Sequence, residues 1–109
     1  PRGKLFQSIA DDLGKPSREL PLIAEDLGTI TAEVTGLRKD FGLPGMRVLH
    51  FELLSSDPNH WRVNTYEADT AVYSGTHDND TSEGWYKAEI AINQDLVNRV
   101  NWAAPPSGR

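Results

Sequence analysis

Residues 71–81 read Ala-Val-Tyr-Ser-Gly-Thr-His-Asp-Asn-Asp-Thr, a short apolar run followed by a dense group of polar residues. The apolar and aromatic start of this stretch predicts a strand over residues 71–74. Asp80 lies three residues before Glu83, the spacing of a capping box, so a helix of about 20 residues is expected to follow through Trp102. The stretch therefore predicts a strand, a polar turn and a helix, the basic unit of an α/β fold.

Two further helices are predicted toward the N-terminus. Residues 4–13 place apolar side chains on one face at helical spacing, and Gly14 follows as a stop signal. Residues 32–40 predict a second helix, with Thr31 as its N-cap and Val34 on its inward face. Both segments carry their own start or stop signals, so their boundaries are expected to be well defined.

Two more apolar runs alternate with these helices. Residues 21–24 are typical of a strand buried on both faces, and residues 46–51 form another strand candidate. Residues 52–69 show no helical period and are interpreted as a long ordered loop. The resulting order of elements predicts an α/β fold with parallel strands. A closed (β/α)8 barrel needs about 250 residues, so 109 residues would supply only part of one.

The composition excludes several classes of protein. The chain has 11 Lys plus Arg against 16 Asp plus Glu, and its formal net charge of -5 disfavours a nucleic-acid or anionic-membrane surface. It has no cysteine, which excludes a disulfide scaffold and thiolate metal sites. No apolar stretch approaches the roughly 20 residues that span a bilayer, so a soluble protein is expected. Because it starts at Pro1 and ends in a polar tail over residues 103–109, we interpret the chain as a piece of a longer protein.

Polar side chains follow two of the predicted strands. Glu25 and Asp26 come directly after the first strand candidate, and residues 77–80 follow the last one. In parallel α/β folds the working residues lie at the carboxyl ends of the strands. Asp26 and Asp80 are also explained by turn formation or helix capping. Glu25 and Asp78 do not occupy cap positions, so they are the principal candidates for chemistry.

Paired carboxylates at the mouth of a barrel suit glycosyl transfer. One carboxyl group must hold a proton for the leaving oxygen, while another stays ionised to stabilise positive charge at the anomeric carbon. Glu25 and Asp78 fit this division of roles. His77 offers ring nitrogens to sugar hydroxyls, and Phe51 and Trp61 offer aromatic faces to a sugar ring; a structural role is the alternative for each. No metal site is indicated, because neither a calcium-loop pattern nor zinc-ligand spacing occurs.

Three stretches of the chain resemble one enzyme family, the 4-α-glucanotransferases, also called amylomaltases or disproportionating enzymes (glycoside hydrolase family 77). They are Pro-Leu-Ile-Ala-Glu-Asp-Leu-Gly at 21–28, Phe-Gly-Leu-Pro-Gly-Met at 41–46 and Tyr-Ser-Gly-Thr-His-Asp-Asn-Asp-Thr at 73–81. The resemblance extends over residues 3–85. It implies an α-amylase-like (β/α)8 barrel, with residues 1–109 as a fragment of its single catalytic domain that holds about strands five to seven.

The resemblance also implies roles for individual residues. Glu25 would be the general acid and base, and Asp78 the third carboxylate, which holds hydroxyl groups of the donor sugar. His77 would contact the same sugar, Phe51 would lie near the acceptor side, and Asp26 is counted among the substrate-binding candidates. The family's nucleophile is an aspartate within an Arg-x-Asp-His stretch, and no such stretch occurs here. The fragment alone is therefore expected to be inactive.

The implied substrates are α-1,4-glucans and maltooligosaccharides, in the metabolism of starch, glycogen or maltose. No cofactor, nucleic acid or membrane is expected to take part, and the location is expected to be the cytoplasm, or the plastid in a plant. Two other functions stay open from the residues themselves. One is a non-catalytic carbohydrate-binding α/β module that uses Trp61 and His77, and the other is an α-amylase-type hydrolase.

Overall fold

The computed structural model describes residues 3–103, so Pro1, Arg2 and most of the predicted polar tail lie outside the described part. Two short strands alternate with helices along this range. In chain order the elements are α1 (Lys4–Leu13), α2 (Ala32–Asp40), β1 (Gly45–Val48), α3 (Leu49–Glu52), α4 (Pro58–Trp61), a 3-10 turn (Val63–Thr65), β2 (Thr70–Tyr73), α5 (Ser82–Ile90) and α6 (Leu96–Ala103).

The strands β1 and β2 pair in parallel. The backbone N–H of Gly45 donates to the carbonyl of Asp69 at 3.0 Å, and the N–H of His50 donates to the carbonyl of Ser74 at 3.0 Å. The two bonds join residues with the same separation, 69 − 45 = 24 and 74 − 50 = 24, as a parallel register requires. The mixed α/β class predicted from the sequence is confirmed.

The helices α1 and α2 have the predicted bounds because local signals determine their ends. Gly14 adopts φ 62° beyond α1, a left-handed conformation that costs glycine little. Thr31 Oγ1 accepts a hydrogen bond from the N–H of Val34 at 3.3 Å, which confirms Thr31 as the N-cap of α2. The inward position predicted for Val34 is wrong, since this residue is 48% exposed.

The strand predicted over residues 21–24 is wrong. The segment has no regular secondary structure and belongs to no sheet among the described residues. The Ala24 N–H donates to the carbonyl of Pro44 at 2.8 Å, while the Leu22 N–H bonds locally to Leu20. Ile23 is 52% exposed, so burial on both faces is also wrong. An apolar run indicates a tendency to be buried, whereas a strand also needs a ladder of bonds to a neighbour.

The strand predicted over residues 46–51 is correct only in its first part. The strand β1 ends at Val48, and the single helical turn α3 takes up the remainder, including Phe51. Short apolar runs do not distinguish a strand from a buried helical turn, because neither is long enough to show its period. Phe51 therefore lies on a helical turn and not at the end of the middle strand.

Residues 52–69 contain short helices that the sequence analysis did not predict. The helix α4 begins after Asp57, whose Oδ1 accepts a hydrogen bond from the N–H of Asn59 at 3.0 Å. Pro58 occupies the first helical position, where its missing N–H is tolerated. Segments of one turn are too short to produce a helical period, so only the cap and the proline indicated them.

The single helix predicted after Asp80 is two helices. Its N-cap is Thr81, whose Oγ1 accepts from the N–H of Gly84 at 3.1 Å, so the capping role predicted for Asp80 is wrong. Between α5 and α6 the side chain of Asn93 accepts a hydrogen bond from the N–H of Asp95 at 3.2 Å. This local bond stabilises a turn and competes with continued helix.

The chain forms two compact units. Among the described residues, the first consists of residues 3–47 together with Asp69–Ala71, and the second consists of Val48–Ala68 and residues 72–103. The core of the first unit is built on buried Ala10, Leu20 and Leu43, against which partly buried residues pack. Among the most buried residues of the second unit are Val48, Leu53 and Leu96. Within residues 3–103, no helix is both long and apolar enough to cross a membrane.

Candidate functional site

Glu25 lies in the loop that joins α1 to α2 in the first unit. Its Oε1 accepts a hydrogen bond from the backbone N–H of Leu27 at 2.8 Å, which closes a short turn on the carboxylate. Glu25 itself is exposed. The arrangement holds one carboxylate oxygen close to the backbone and keeps the group at the surface of its unit, where a ligand has access to it.

The next residue, Asp26, is held by the start of β1. Its Oδ1 accepts a hydrogen bond from the Met46 N–H at 2.8 Å, and its Oδ2 lies 3.7 Å from Arg38 Nε. A Cβ atom placed on Gly45 would clash with Asp26 Oδ2, so only glycine leaves enough space here for the carboxylate. Asp26 therefore fixes the loop that carries Glu25, while its predicted contact with substrate stays a prediction.

Arg38 is the centre of this polar network, and the sequence analysis did not single it out. Its Nη1 donates to the carbonyl of Leu43 at 2.8 Å and to Asp69 Oδ2 at 3.1 Å. The side chain of Arg38 is only 10% exposed. The hydrogen bond from Arg38 lowers the pKa of Asp69, so this carboxylate stays ionised to a lower pH than an isolated one.

Replacement of Arg38 by alanine tests this network. We expect Arg38→Ala to lower the free energy of unfolding by about 2–3 kcal/mol. The change removes the cation that pairs with the partly buried Asp26 and with the more exposed Asp69. The measurement is urea unfolding of the complete protein. Lys87→Ala is the control, since its exposed pair with Glu83 is worth about 0.5 kcal/mol or less. Equal stability of the two variants would contradict the assigned role.

Asp78 and His77 lie in the turn between β2 and α5, in the second unit. Asn79 Oδ1 accepts hydrogen bonds from the N–H of Thr76 at 2.8 Å and from its hydroxyl at 3.0 Å. The Asp78 N–H donates to Thr76 Oγ1 at 3.2 Å. These bonds stabilise the turn from within, and the side chains of His77 and Asp78 lie on its outside.

The side chains of His77 and Asp78 are 90% and 82% exposed, and His77 Nε2 lies 3.2 Å from Asp78 Oδ1. The structure thus brings these two predicted site residues together in one unit. Glu25 and Asp26 are together in the other. The convergence of Glu25 and Asp78 on one sugar stays a prediction.

A buried histidine, His50, is the main residue of this region that the sequence analysis missed. It is 4% exposed, and its ring stacks on Trp85 with a centroid distance of 4.4 Å and an interplanar angle of 2°. Its Nε2 lies 3.0 Å from Ser82 Oγ. Burial lowers the pKa of the His50 imidazole and favours its neutral form. The sequence feature that could have indicated a buried histidine is the position of this polar residue within the apolar run Val-Leu-His-Phe at 48–51.

The two aromatic candidates differ in their surroundings. Phe51, on α3, is about half exposed and presents part of its ring to solvent. Trp61, at the end of α4, is partly buried, with the guanidinium carbon of Arg62 at 5.4 Å and that of Arg99 at 6.0 Å from its ring centroid. The indole of Trp61 thus takes part in packing within the second unit. Sugar stacking by either ring stays a prediction.

Within residues 3–103, no group of three or more His, Asp or Glu side chains is arranged to hold a metal ion.

Comparison with known proteins identifies the family. The family model described as 4-alpha-glucanotransferase matches residues 1–106. This chain belongs to the 4-alpha-glucanotransferase family. It is 49% identical over 89 residues to the 4-alpha-glucanotransferase of Thermus thermophilus, covering 80% of this chain and 17% of the relative. It is 44% identical over 98 residues to the 4-alpha-glucanotransferase of Synechocystis sp., covering 89% and 19%.

A solved structure resembles this chain over its whole length. It is an amylomaltase from Streptococcus agalactiae in complex with acarbose, with a TM-score of 0.72 and 28% sequence identity. The match covers 100% of this chain and 21% of that one. The chain thus spans about a fifth of the length of the solved relative and 17–19% of the two curated ones. The family resemblance predicted from the three sequence stretches is confirmed.

Proposed function

We propose that this chain is part of the catalytic (β/α)8 barrel of a 4-α-glucanotransferase. The enzyme would transfer a segment of an α-1,4-glucan to the 4-hydroxyl of a glucose or maltooligosaccharide acceptor. The observation that carries the proposal is family membership over residues 1–106. The parallel pair β1 and β2 would be the sixth and seventh barrel strands, and residues 1–109 would lie within one catalytic domain.

Glu25 would be the proton donor and acceptor of a retaining double displacement. In the first step its carboxyl group protonates the glycosidic oxygen as the bond to the anomeric carbon breaks. In the second step its carboxylate removes the proton from the acceptor hydroxyl. Its exposed position and its single short turn with Leu27 support this role, because the group is accessible and yet fixed near the backbone.

Asp78 would hold hydroxyl groups of the donor sugar and stabilise the positive charge that develops at its anomeric carbon. His77, 3.2 Å away, would bind the same sugar. The nucleophile would come from outside these 109 residues, since no Arg-x-Asp-His stretch occurs in them. In a retaining enzyme this carboxylate lies about 5–5.5 Å from the acid and base. The chain alone would then form no covalent glycosyl-enzyme.

Residues 52–69, with Phe51, would form part of the acceptor subsites. Transfer exceeds hydrolysis only when a bound acceptor excludes water from the intermediate. The segment is well braced for this purpose: His60 Nδ1 lies 2.9 Å from Glu52 Oε2, and the hydroxyl of Tyr66 donates to the carbonyl of His60. An ordered acceptor segment would hold the acceptor sugar in position to react with the glycosyl-enzyme intermediate.

One product analysis, with maltotriose as the substrate of the complete protein, separates transfer from the two alternative functions. We expect a ladder of longer maltooligosaccharides together with glucose, which is the result of transfer. If glucose and maltose are the only products, the reaction is α-amylase-type hydrolysis and not transfer. Binding of maltotriose without turnover would replace the proposal with a carbohydrate-binding module. The 109-residue chain alone is expected to give no products.

The place of action would follow the source of the protein. Bacterial relatives carry no organelle in their names, whereas a plant relative from Arabidopsis thaliana is named chloroplastic and amyloplastic. We propose the cytoplasm for a bacterial source and the plastid for a plant source.

A further inference from the structure

The second unit buries a polar side chain at an energetic cost. His50 is 4% exposed, and its Nδ1 has no hydrogen-bond partner within the described residues. A buried polar atom without a partner destabilises the folded state, and an apolar ring in this position would avoid the loss. A histidine at this place therefore needs an explanation beyond filling the core, and the contacts of its other atoms supply one.

His50 contacts the chain at both ends of the turn that carries His77 and Asp78. At the first end its backbone N–H donates to the carbonyl of Ser74 at 3.0 Å. Its ring lies against Gly75, where an added Cβ would come within 2.8 Å of Nδ1 and Cε1. The imidazole therefore contacts the backbone directly at the point where β2 ends and the turn begins. Only glycine fits at position 75, because any side chain there would clash with the imidazole.

At the other end of the turn, the same ring meets the first residues of α5. Nε2 lies 3.0 Å from Ser82 Oγ, and the imidazole face stacks on the indole of Trp85. One rigid ring thus joins the end of β2 to the beginning of α5. Between these two contacts the turn is held by the side chains of Thr76 and Asn79, while His77 and Asp78 project outward.

The bonds within the turn fix its shape and Thr81 caps α5, but these bonds alone do not fix the direction of the turn relative to β2. That direction depends on contacts at its two ends. A small rotation there would displace the exposed Asp78 carboxylate, and displacements of about 1 Å at a reacting group are costly to catalysis. The contacts of His50 are placed where they prevent such a rotation.

We infer that His50 is a positioning residue, which orients the turn of residues 75–81 through Gly75 and Ser82 and thereby places Asp78 against the substrate. The effect on catalysis rests on the proposed function, whereas the effect on the turn does not. His50 itself contacts neither the sugar nor the reacting atoms. Its polar nitrogen is needed for the bond to Ser82, which an apolar ring of similar shape would not make.

The decisive experiment compares Ser82→Ala with Ser82→Thr in the complete protein. Ser82 is exposed, so neither change disturbs the core, and only threonine keeps a hydroxyl for His50 Nε2. We expect Ser82→Ala to lower kcat for maltotriose about tenfold, with KM nearly unchanged, since one hydrogen bond of ordinary strength corresponds to about that factor. Ser82→Thr is expected to restore kcat.

Amide hydrogen exchange supplies a readout that does not depend on activity. The N–H groups of Thr76, Asp78 and Asn79 are bonded within the turn. We expect them to exchange faster in Ser82→Ala and in His50→Phe, because a turn with a freer end opens more often. The double variant should add little, because both changes remove the same bond. Thr31→Ala is the control: it removes a hydroxyl that caps a helix in the other unit, and it should leave this exchange unchanged.

Wild-type kcat together with wild-type exchange in Ser82→Ala would overturn the inference, as would equal losses in Ser82→Ala and Ser82→Thr. His50→Phe is informative even where it lowers the melting temperature, because the exposed Ser82 variants test the same bond without a change in the core. If the unsubstituted protein performs no transfer, the proposed function fails. Faster exchange of the turn in Ser82→Ala, with rescue by Ser82→Thr, would then still support the positioning role.

Discussion

Glu25→Gln is expected to lower kcat for maltotriose disproportionation by about 10²–10⁴-fold, the usual contribution of a positioned general acid and base. Glutamine has nearly the same shape as glutamate but neither donates the required proton nor accepts one. Its side-chain oxygen still accepts the hydrogen bond from the Leu27 N–H, so the loop should keep its conformation. The loss is therefore expected in kcat, with an unchanged melting temperature.

The matched control is Glu19→Gln, which removes the same charge from an exposed residue of the same unit. It should leave kcat at the wild-type value. A maltosyl donor with a fluoride leaving group gives a second test, because fluoride departs without a proton. Glu25→Gln should therefore form the glycosyl-enzyme from this donor much faster than from maltotriose. Wild-type turnover of maltotriose in Glu25→Gln would remove Glu25 from the mechanism.

The second large effect is expected from Asp78→Asn, which should lower kcat by about 10²–10³-fold, as the loss of one preorganised charge-stabilising group does. Asparagine retains the size and one oxygen of the side chain but not its negative charge. The loss should be greater in kcat than in KM, because the positive charge on the sugar develops only toward the transition state.

Asp95→Asn is the control for Asp78→Asn, since Asp95 is another exposed carboxylate of the second unit. Asp95→Asn should change neither kcat nor KM. The exposure of Asp78 indicates that Asp78→Asn will fold normally, which circular dichroism checks. A KM that rises with kcat preserved would show that Asp78 binds the ground state only, which would contradict its proposed role in stabilising charge.

Features with local causes were the ones predicted well from the sequence. The ends of α1 and α2 agree with prediction, because a left-handed glycine and a threonine cap act within a few residues of the helix end. The break after α5 was also local, through the Asn93 side chain, but the apolar pattern of the flanking residues obscured it. The strand β2 was predicted to within one residue at each end.

Features that depend on distant partners were predicted poorly. Residues 21–24 have the composition of a buried strand, yet the Ala24 N–H bonds to Pro44 and no ladder develops among the described residues. In residues 46–51, the change from strand to helical turn at Leu49 is accompanied by the bond from His50 N–H to Ser74, which is 24 residues away. A pattern of apolar residues carries no information about which segment will supply the hydrogen bonds.

The order of apolar runs and polar turns determined, by itself, the α/β class and the ends of α1 and α2, because propensity and capping act over short distances. The three motifs determined the resemblance to the family. The sequence also singled out Glu25 and Asp78 as acidic residues that do not occupy helix-cap positions. Only the tertiary structure revealed that Arg38 holds the loop of Glu25 through Asp26, and that His50 spans the turn of Asp78. Such contacts join residues far apart in the chain, so they exist only after folding has brought those residues together.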